Sequence, residues 1–183
     1  MISPLASVSD ARSYSPLPRI PVQPSRPALC DDTEIGTILR LLHGMRPRPA
    51  SVVIGRAADE VSHANAARIA DAWTGRGGLV LATVAWPETA ASWLRQARRF
   101  AAPDPDAWIV TATPAGWIGM GRRLVCSTEW SPQRTIATSG LAVPALIQAG
   151  GIGTFDGLRG AHADGGSWEI VRTLLVDHPG SPQ

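Results

Sequence analysis

Cysteine is scarce in this chain. Cys30 and Cys126 are the two such residues among 183. They stand far apart, without the close pairing that a zinc site needs, so neither a disulfide framework nor a metal finger is available. Two unpaired, partly buried thiols are the expectation, and no metal site is expected. Blocks of like charge are missing too. The formal charge is +2, and the longest basic runs are the pairs Arg98-Arg99 and Arg122-Arg123. A nucleic-acid phosphate backbone demands a denser footprint than that, so no nucleic-acid partner is expected. Apolar runs such as Gly78 to Trp86 fall well short of the ~20 residues that cross a bilayer. The first residues lack the basic start, apolar stretch and small-residue cleavage site of a secretory signal. A cytoplasmic location is therefore expected for the chain as written, and an extracytoplasmic one if it is a piece of a longer exported protein.

Catalytic signatures are equally sparse. There is no Gly-x-Ser-x-Gly elbow, no His-Glu-x-x-His pair and no Walker loop. Gly151-Ile152-Gly153 follows no strand directly and lacks the third glycine of a dinucleotide fingerprint, so no cofactor is expected. What is present is apolar residue at 44% against 17% charged, enough for one domain with a real core.

The pattern of those apolar residues predicts the fold. Residues 4 to 27 carry a proline at nearly every fourth position and read as an extended arm. Asp31-Asp32-Thr33-Glu34 resembles an acidic helix cap with Glu three residues on, followed by Ile35, Ile38, Leu39 and Leu42 on one face and ended by Gly44. Ser51 to Gly55 reads as a buried strand. A helix bearing Ala66, Ile69, Ala70 and Trp73 then closes at Gly75 to Gly78. The alternation repeats: a strand from Leu79 to Ala85, a helix started at Pro87-Glu88-Thr89 with its stripe from Trp93 to Ala101, and a strand from Ala107 to Ala112. A helix from Trp117 to Leu124, a strand from Arg134 to Thr138 and a short helix from Val143 to Ala149 follow. Parallel strands need crossovers, so the expectation is an α/β, Rossmann-like three-layer αβα fold with a mostly parallel sheet. Asp156 to Ala161 reads as a further strand, whereas Trp168 to Val176 fits a strand or a helix equally. The implied organisation is an arm (1–30), an α/β lobe (31–162) and a terminal segment (163–183). Trp73, Trp93 and Trp108 fall on core stripes, and Trp86, Trp117 and Trp130 at loop junctions. His43, at the end of the first helix, suits the negative end of the helix dipole.

Several local stretches, taken in order, carry a resemblance. Ile2-Ser3-Pro4-Leu5-Ala6-Ser7 has the form I-S-P-x-A-[ST], and Pro18-Arg19-Ile20-Pro21 with Pro24-Ser25 follows. A Val-Val-Ile strand, a Gly-Gly strand ending in Trp-Pro, and Asp106-Ala107-Trp108 come next. Ile136-Ala137-Thr138-Ser139-Gly140-Leu141 with Pro144-Ala145-Leu146, then Phe155-Asp156-Gly157-Leu158-Arg159-Gly160, complete the series. In this order the chain resembles the type I periplasmic binding proteins, the family of leucine/isoleucine/valine receptors and amide-sensing regulators, over most of its length up to Ala161. The matching part is the second lobe, with the arm standing for the end of the first lobe and the hinge.

The resemblance implies a non-enzymatic module that binds a small polar ligand such as an amino acid or amide. It points to Leu5 and Ser7 in the first-lobe loop, and to Thr113 and Ser139 after two strands, as ligand-binding residues. The family's amino-acid receptors commonly place an acidic group at the Ser139 position and an aromatic near Thr113. This chain has neither there, which argues against an ordinary zwitterionic amino acid. The bland reading of Ser7, Thr113 and Ser139 as turn and cap residues stands beside the functional one. With a cleft only half represented, a homodimer or a second chain completing it is a further expectation. Two alternatives remain open: a cytoplasmic ligand-sensing regulator of the amide-sensor kind, and a small hydrolase or transferase on a flavodoxin-like sheet using His162, Asp164 and Ser167.

Overall fold

The run Ser-Val-Val-Ile-Gly-Arg-Ala at positions 51–57 is β1, and it is buried along nearly its whole length, as a strand covered on both faces must be. The computed structural model describes residues 28–180 and builds everything else around this strand. Helix α1 (Asp32–Gly44) precedes it. Then follow α2 (Glu60–Thr74), β2 (Leu79–Trp86), α3 (Leu94–Ala101), β3 (Ala107–Thr111), α4 (Pro114–Ser127), β4 (Thr135–Ala137), α5 (Pro144–Gly150), β5 (Arg159–Ala161), β6 (Ser167–Val171) and β7 (Leu174–His178). The strands form one sheet in the order β2-β1-β3-β4-β5-β6-β7. The first five are parallel, and β6 and β7 are added antiparallel. The expected αβα architecture is present.

Side-chain alternation along the strands divides the core in two. Val52, Ile54, Ala107, Ile109 and Ile136 point to the face covered by α1 and α2, with Ile38, Leu42, Ile69 and Trp73 above them. Val53, Trp108, Val110 and Ala137 point to the other face, where α3, α4 and α5 supply Phe100, Trp117, Leu124 and Leu146.

That second face is unusually aromatic. Trp117 packs against Trp86 with ring centres 5.7 Å apart, edge-on against Trp130 at 5.6 Å, and against Phe155 at 5.8 Å. The reading of Trp86, Trp117 and Trp130 as loop-junction residues is thus corrected: all three are buried. Trp86 ends an edge strand but shares its inward face with Val84. Trp117 lies in the first turn of α4 on the sheet side. Their Nε1 atoms, with that of Trp130, have no hydrogen-bond partner among the described residues. Glycines make room for the rings. A Cβ at Gly121 would stand 2.3 Å from Phe155, and one at Gly55 would stand 2.6 Å from both Trp86 and Phe100. Trp93, expected in the core, is only half-buried. It lies over Gly119 and donates from Nε1 to the carbonyl of Pro87 at 3.0 Å. Residues 87–93 are not helical, and α3 starts at Leu94 rather than at Pro87.

Two further differences come from long-range pairing. Arg159 to Ala161 is shorter than the expected strand because Gly153 and Gly157 have positive φ and turn the chain first. Residues 167–178, ambiguous by periodicity, form a hairpin on the edge of β5. The arm, including Leu5 and Ser7, lies outside the described residues. No helix among the described residues is long and apolar enough to cross a membrane.

Two groups set measurable chemical behaviour. Cys30 is buried and Cys126 exposed, and both are free thiols. Burial, and next the nearby Glu34 carboxylate, push the Cys30 thiol far above its ordinary range. An alkylating reagent at neutral pH should modify Cys126 alone in the folded chain and both thiols in denaturant. Rapid double labelling without denaturant would contradict this packing. At the other end of the sheet the Asp106 carboxylate accepts from Ala50 N at 3.0 Å, Ser51 N at 2.9 Å and Ser51 Oγ at 2.9 Å, joining the starts of β1 and β3. The Ala50 amide, then the Ser51 groups, with Arg134 adding a smaller pull, hold this carboxyl below its usual value. A depressed carboxylate pKa stabilises the fold above the unfolded value of about 3.9 and loses that contribution as pH falls through the folded value. Asp106→Asn should therefore lower the urea midpoint at pH 7, and the gap to the parent should shrink steadily as pH falls below about 3.9. A gap of constant size across that acid range would assign the effect to something other than the charge.

Candidate functional site

In a sheet of this order the helices change faces between β1 and β3, and the loops at the carboxyl ends of the strands open into a crevice. Both described residues singled out from the sequence lie at that end, on neighbouring strand exits. Thr138 N donates to Val110 O at 3.1 Å, which keeps the exits of β3 and β4 together.

Thr113 precedes α4. Its side chain makes no capping bond to that helix, and it is 4% exposed. Its hydroxyl donates instead to Glu88 Oε1 in the loop after β2. Thr113 thereby ties two loops together, and its hydroxyl is already engaged. Ser139 is half-buried, at the start of a 3-10 turn (Ser139–Leu141) that follows β4. Its amide donates to Glu34 Oε1 at 2.6 Å, and its hydroxyl has no hydrogen bond among the described residues.

Glu34 is the residue that sequence reasoning missed. The capping pattern was half right: Glu34 N donates to the Asp31 carboxylate at 2.8 Å. The Glu34 side chain, however, leaves its own helix and reaches a strand exit 105 positions away. It is 2% exposed, and Cys30 lies beside it. A carboxylate can sit there only because donors meet it. Helix α1 also holds the next turn, since Thr37 Oγ1 donates to Gly165 O at 3.1 Å and Arg40 Nη2 to the same oxygen at 3.0 Å.

Between these two anchored turns lies an open groove of about 590 Å³, lined by Ser139, His162, Asp164, Gly166, Asp177 and His178 among others. Because β7 is antiparallel to β6, which is antiparallel to β5, its end returns to the carboxyl edge and delivers Asp177 and His178 next to the exit of β5. His162 Nε2 lies 2.9 Å from Asp177 Oδ1. Asp164 accepts from Gly166 N at 2.9 Å. The trio of His162, Asp164 and Ser167, part of the hydrolase alternative, is not joined by hydrogen bonds among the described residues. The acid partner of His162 is Asp177, and no hydrogen bond joins His162 to a serine among the described residues. Nor does any group of three or more His, Cys, Asp or Glu there have metal-holding geometry.

His43 stands in the last turn of α1, where the sequence placed it. It faces Trp73 at 5.9 Å between ring centres. Desolvation, then Arg48 and Arg76, hold its pKa below the ordinary value.

Hydrogen bonds to a charged group contribute about 1.5–3 kcal/mol each. Glu34→Ala, which strands the Ser139 amide, should cost about that much in urea unfolding, while Glu34→Gln keeps an acceptor and should cost less. A Glu34→Ala chain as stable as the parent would remove the anchoring role.

No family model matches the chain, and no curated protein is similar to it. Solved structures are. An extracellular ligand-binding receptor from Rhodopseudomonas palustris HaA2 is 17% identical, with a TM-score of 0.60 over 73% of this chain and 36% of its own. A leucine binding protein from Thermotoga maritima is 20% identical, with 0.58 over 73% and 38%. A putative branched-chain amino acid ABC transporter protein from Rhodospirillum rubrum is 16% identical, with 0.58 over 70% and 36%. The chain thus shares its fold with these proteins and spans little more than a third of their length.

Proposed function

We propose that this chain is a small-ligand binding lobe that takes an amine- or amide-bearing molecule in the groove at the carboxyl ends of β4, β5 and β7, and that it binds without turnover. The observation that carries this reading is the groove itself. It lies at the carboxyl edge of the sheet, the edge at which open α/β folds bind ligands, to one side of the point between β1 and β3 where the helices change face, in a fold shared with an extracellular ligand-binding receptor. Ser139 offers a hydroxyl, and Asp164 keeps one carboxylate oxygen clear of its bond to Gly166. A ligand ammonium or amide N–H has an acceptor there, although no acid follows β4 in the sequence. The His162–Asp177 pair gives the far wall a fixed donor geometry.

Only one wall of a hinged cleft is supplied, so a second lobe has to close over it for tight binding. That lobe comes from another segment or from a second copy of the chain. Thr113 serves on this reading as a loop tie rather than a ligand contact.

Ligand that binds the folded state alone stabilises by about 2.7 kcal/mol at a hundredfold excess over Kd, or roughly 5–10 °C in Tm for a chain of this size. Thermal unfolding against amino acids, amides and small carboxylates, with light scattering in the same buffer, should show such a rise for amine- or amide-bearing compounds. Ser139→Ala and Asp164→Asn should abolish it, whereas Thr113→Val should shift basal Tm and leave the ligand increment intact. A Tm that no compound moves, or an increment insensitive to Ser139 and Asp164, would defeat this assignment.

A further inference from the structure

The opposite, amino end of the sheet holds a second recess, of about 470 Å³, lined by Gly44, Met45, Arg46, Pro47, Asp106, Gln133, Arg134 and Arg159. Its three arginines come from three separate segments: the loop after α1, the turn before β4, and the first residue of β5. We propose that Arg46, Arg134 and Arg159 form an anion site for a small oxyanion carrying two or more negative charges, a phosphate group or a polycarboxylate.

The guanidinium groups are held by neutral acceptors. Arg46 Nη1 donates to the carbonyls of His43 at 3.2 Å and Met45 at 2.9 Å. Arg134 donates from Nε to Asp106 O at 2.9 Å and from Nη2 to Pro105 O, with its head 4.8 Å above the Trp108 ring centre. Arg159 Nη2 reaches Gln133 O at 3.5 Å. Main-chain oxygens and an aromatic face orient the heads without cancelling their charge. Each guanidinium has five N–H donors, and these bonds occupy two, two and one of them, so most of each fork stays open. The ion pairs found among the described residues, Arg68 with Asp32 and His162 with Asp177, involve none of the three.

Asp106 is the one acid in the lining. Its Oδ2 is turned to Ala50 and Ser51, and it offsets one positive charge of three. Arg48 and Arg76 add positive field at the same end, where both act on His43. The chain also contains no lysine, so every fixed side-chain cation is a guanidinium. That planar fork matches phosphate and carboxylate oxygens two at a time, and a recess of this volume suits a small molecule.

The test is isothermal titration calorimetry of the whole chain with inorganic phosphate and, separately, citrate, at matched ionic strength in chloride. Saturable binding in the low-millimolar range or tighter is expected. It should weaken by about tenfold or more in Arg159→Gln and in Arg46→Gln and stay unchanged in Arg95→Gln, an exposed arginine of α3 outside the recess. Arg159 is the preferred variant because a single long bond ties its head to the protein, and circular dichroism checks that both variants fold. Stronger binding of phosphate assigns the site to phosphorylated ligands, and stronger binding of citrate to polycarboxylates. Absence of saturable binding to either anion, or equal affinity in the folded arginine variants, overturns the proposal. Neither outcome bears on the groove at the carboxyl end, whose lining contains none of the substituted arginines.

Discussion

A carboxylate withdrawn from water must be met by donors, and much of this molecule's carboxyl edge follows from how Glu34 is met. Its bond to the Ser139 amide fixes the first turn of α1 over the exit of β4. The same helix then grips Gly165 through Thr37 and Arg40. These two turns border the groove beside the His162–Asp177 wall, so one helix sets the spacing between them. Buried polar links of this kind confer geometric definition more surely than stability, because a hydrophobic replacement of the whole set can be equally stable yet leave the walls free to shift.

Much of the architecture was legible because local and global signals agree. Val52-Val53-Ile54 is β-branched and continuous, and a strand between two helical layers wants that text. The stripes of α1 and α2 have a period that only a helix satisfies. The legible part stops where structure depends on partners distant in the chain. Nothing local in residues 167–178 decides between strand and helix. The free edge of β5 does, by offering Gly160 and Ala161 as partners to Trp168 and Ser167. Trp86, Trp117 and Trp130 look like junction residues because they flank prolines, glycines and serines. Gly55 on β1 and Gly116 on α4 leave room for the Trp86 ring, Trp117 packs on Trp86 and Trp130 on Trp117, an arrangement that only the fold reveals.

The candidate site was less legible than the fold for the same reason. Ser139 could be placed in a loop after a strand, but its surroundings could not. Glu34 belongs to a cap pattern, and that local meaning masks the distant one. His162 sits two residues before Asp164, so adjacency suggests a pairing that the hairpin overrules by returning Asp177. Side-chain convergence at a sheet edge is written in the register of strands.

The placement of the indoles also gives the two faces different optical characters. Trp73 is the one tryptophan of the core beneath α1 and α2, whereas Trp86, Trp108, Trp117, Trp130 and Trp168 belong to the core beneath α3 to α5. The centres of Trp86, Trp117 and Trp130 are close enough for their electronic transitions to couple. Near-ultraviolet dichroism and emission will therefore report mainly on one half of the lobe. Loosening of the α1 and α2 layer, which carries the Glu34 anchor, would pass almost in the dark unless Trp73 were followed alone.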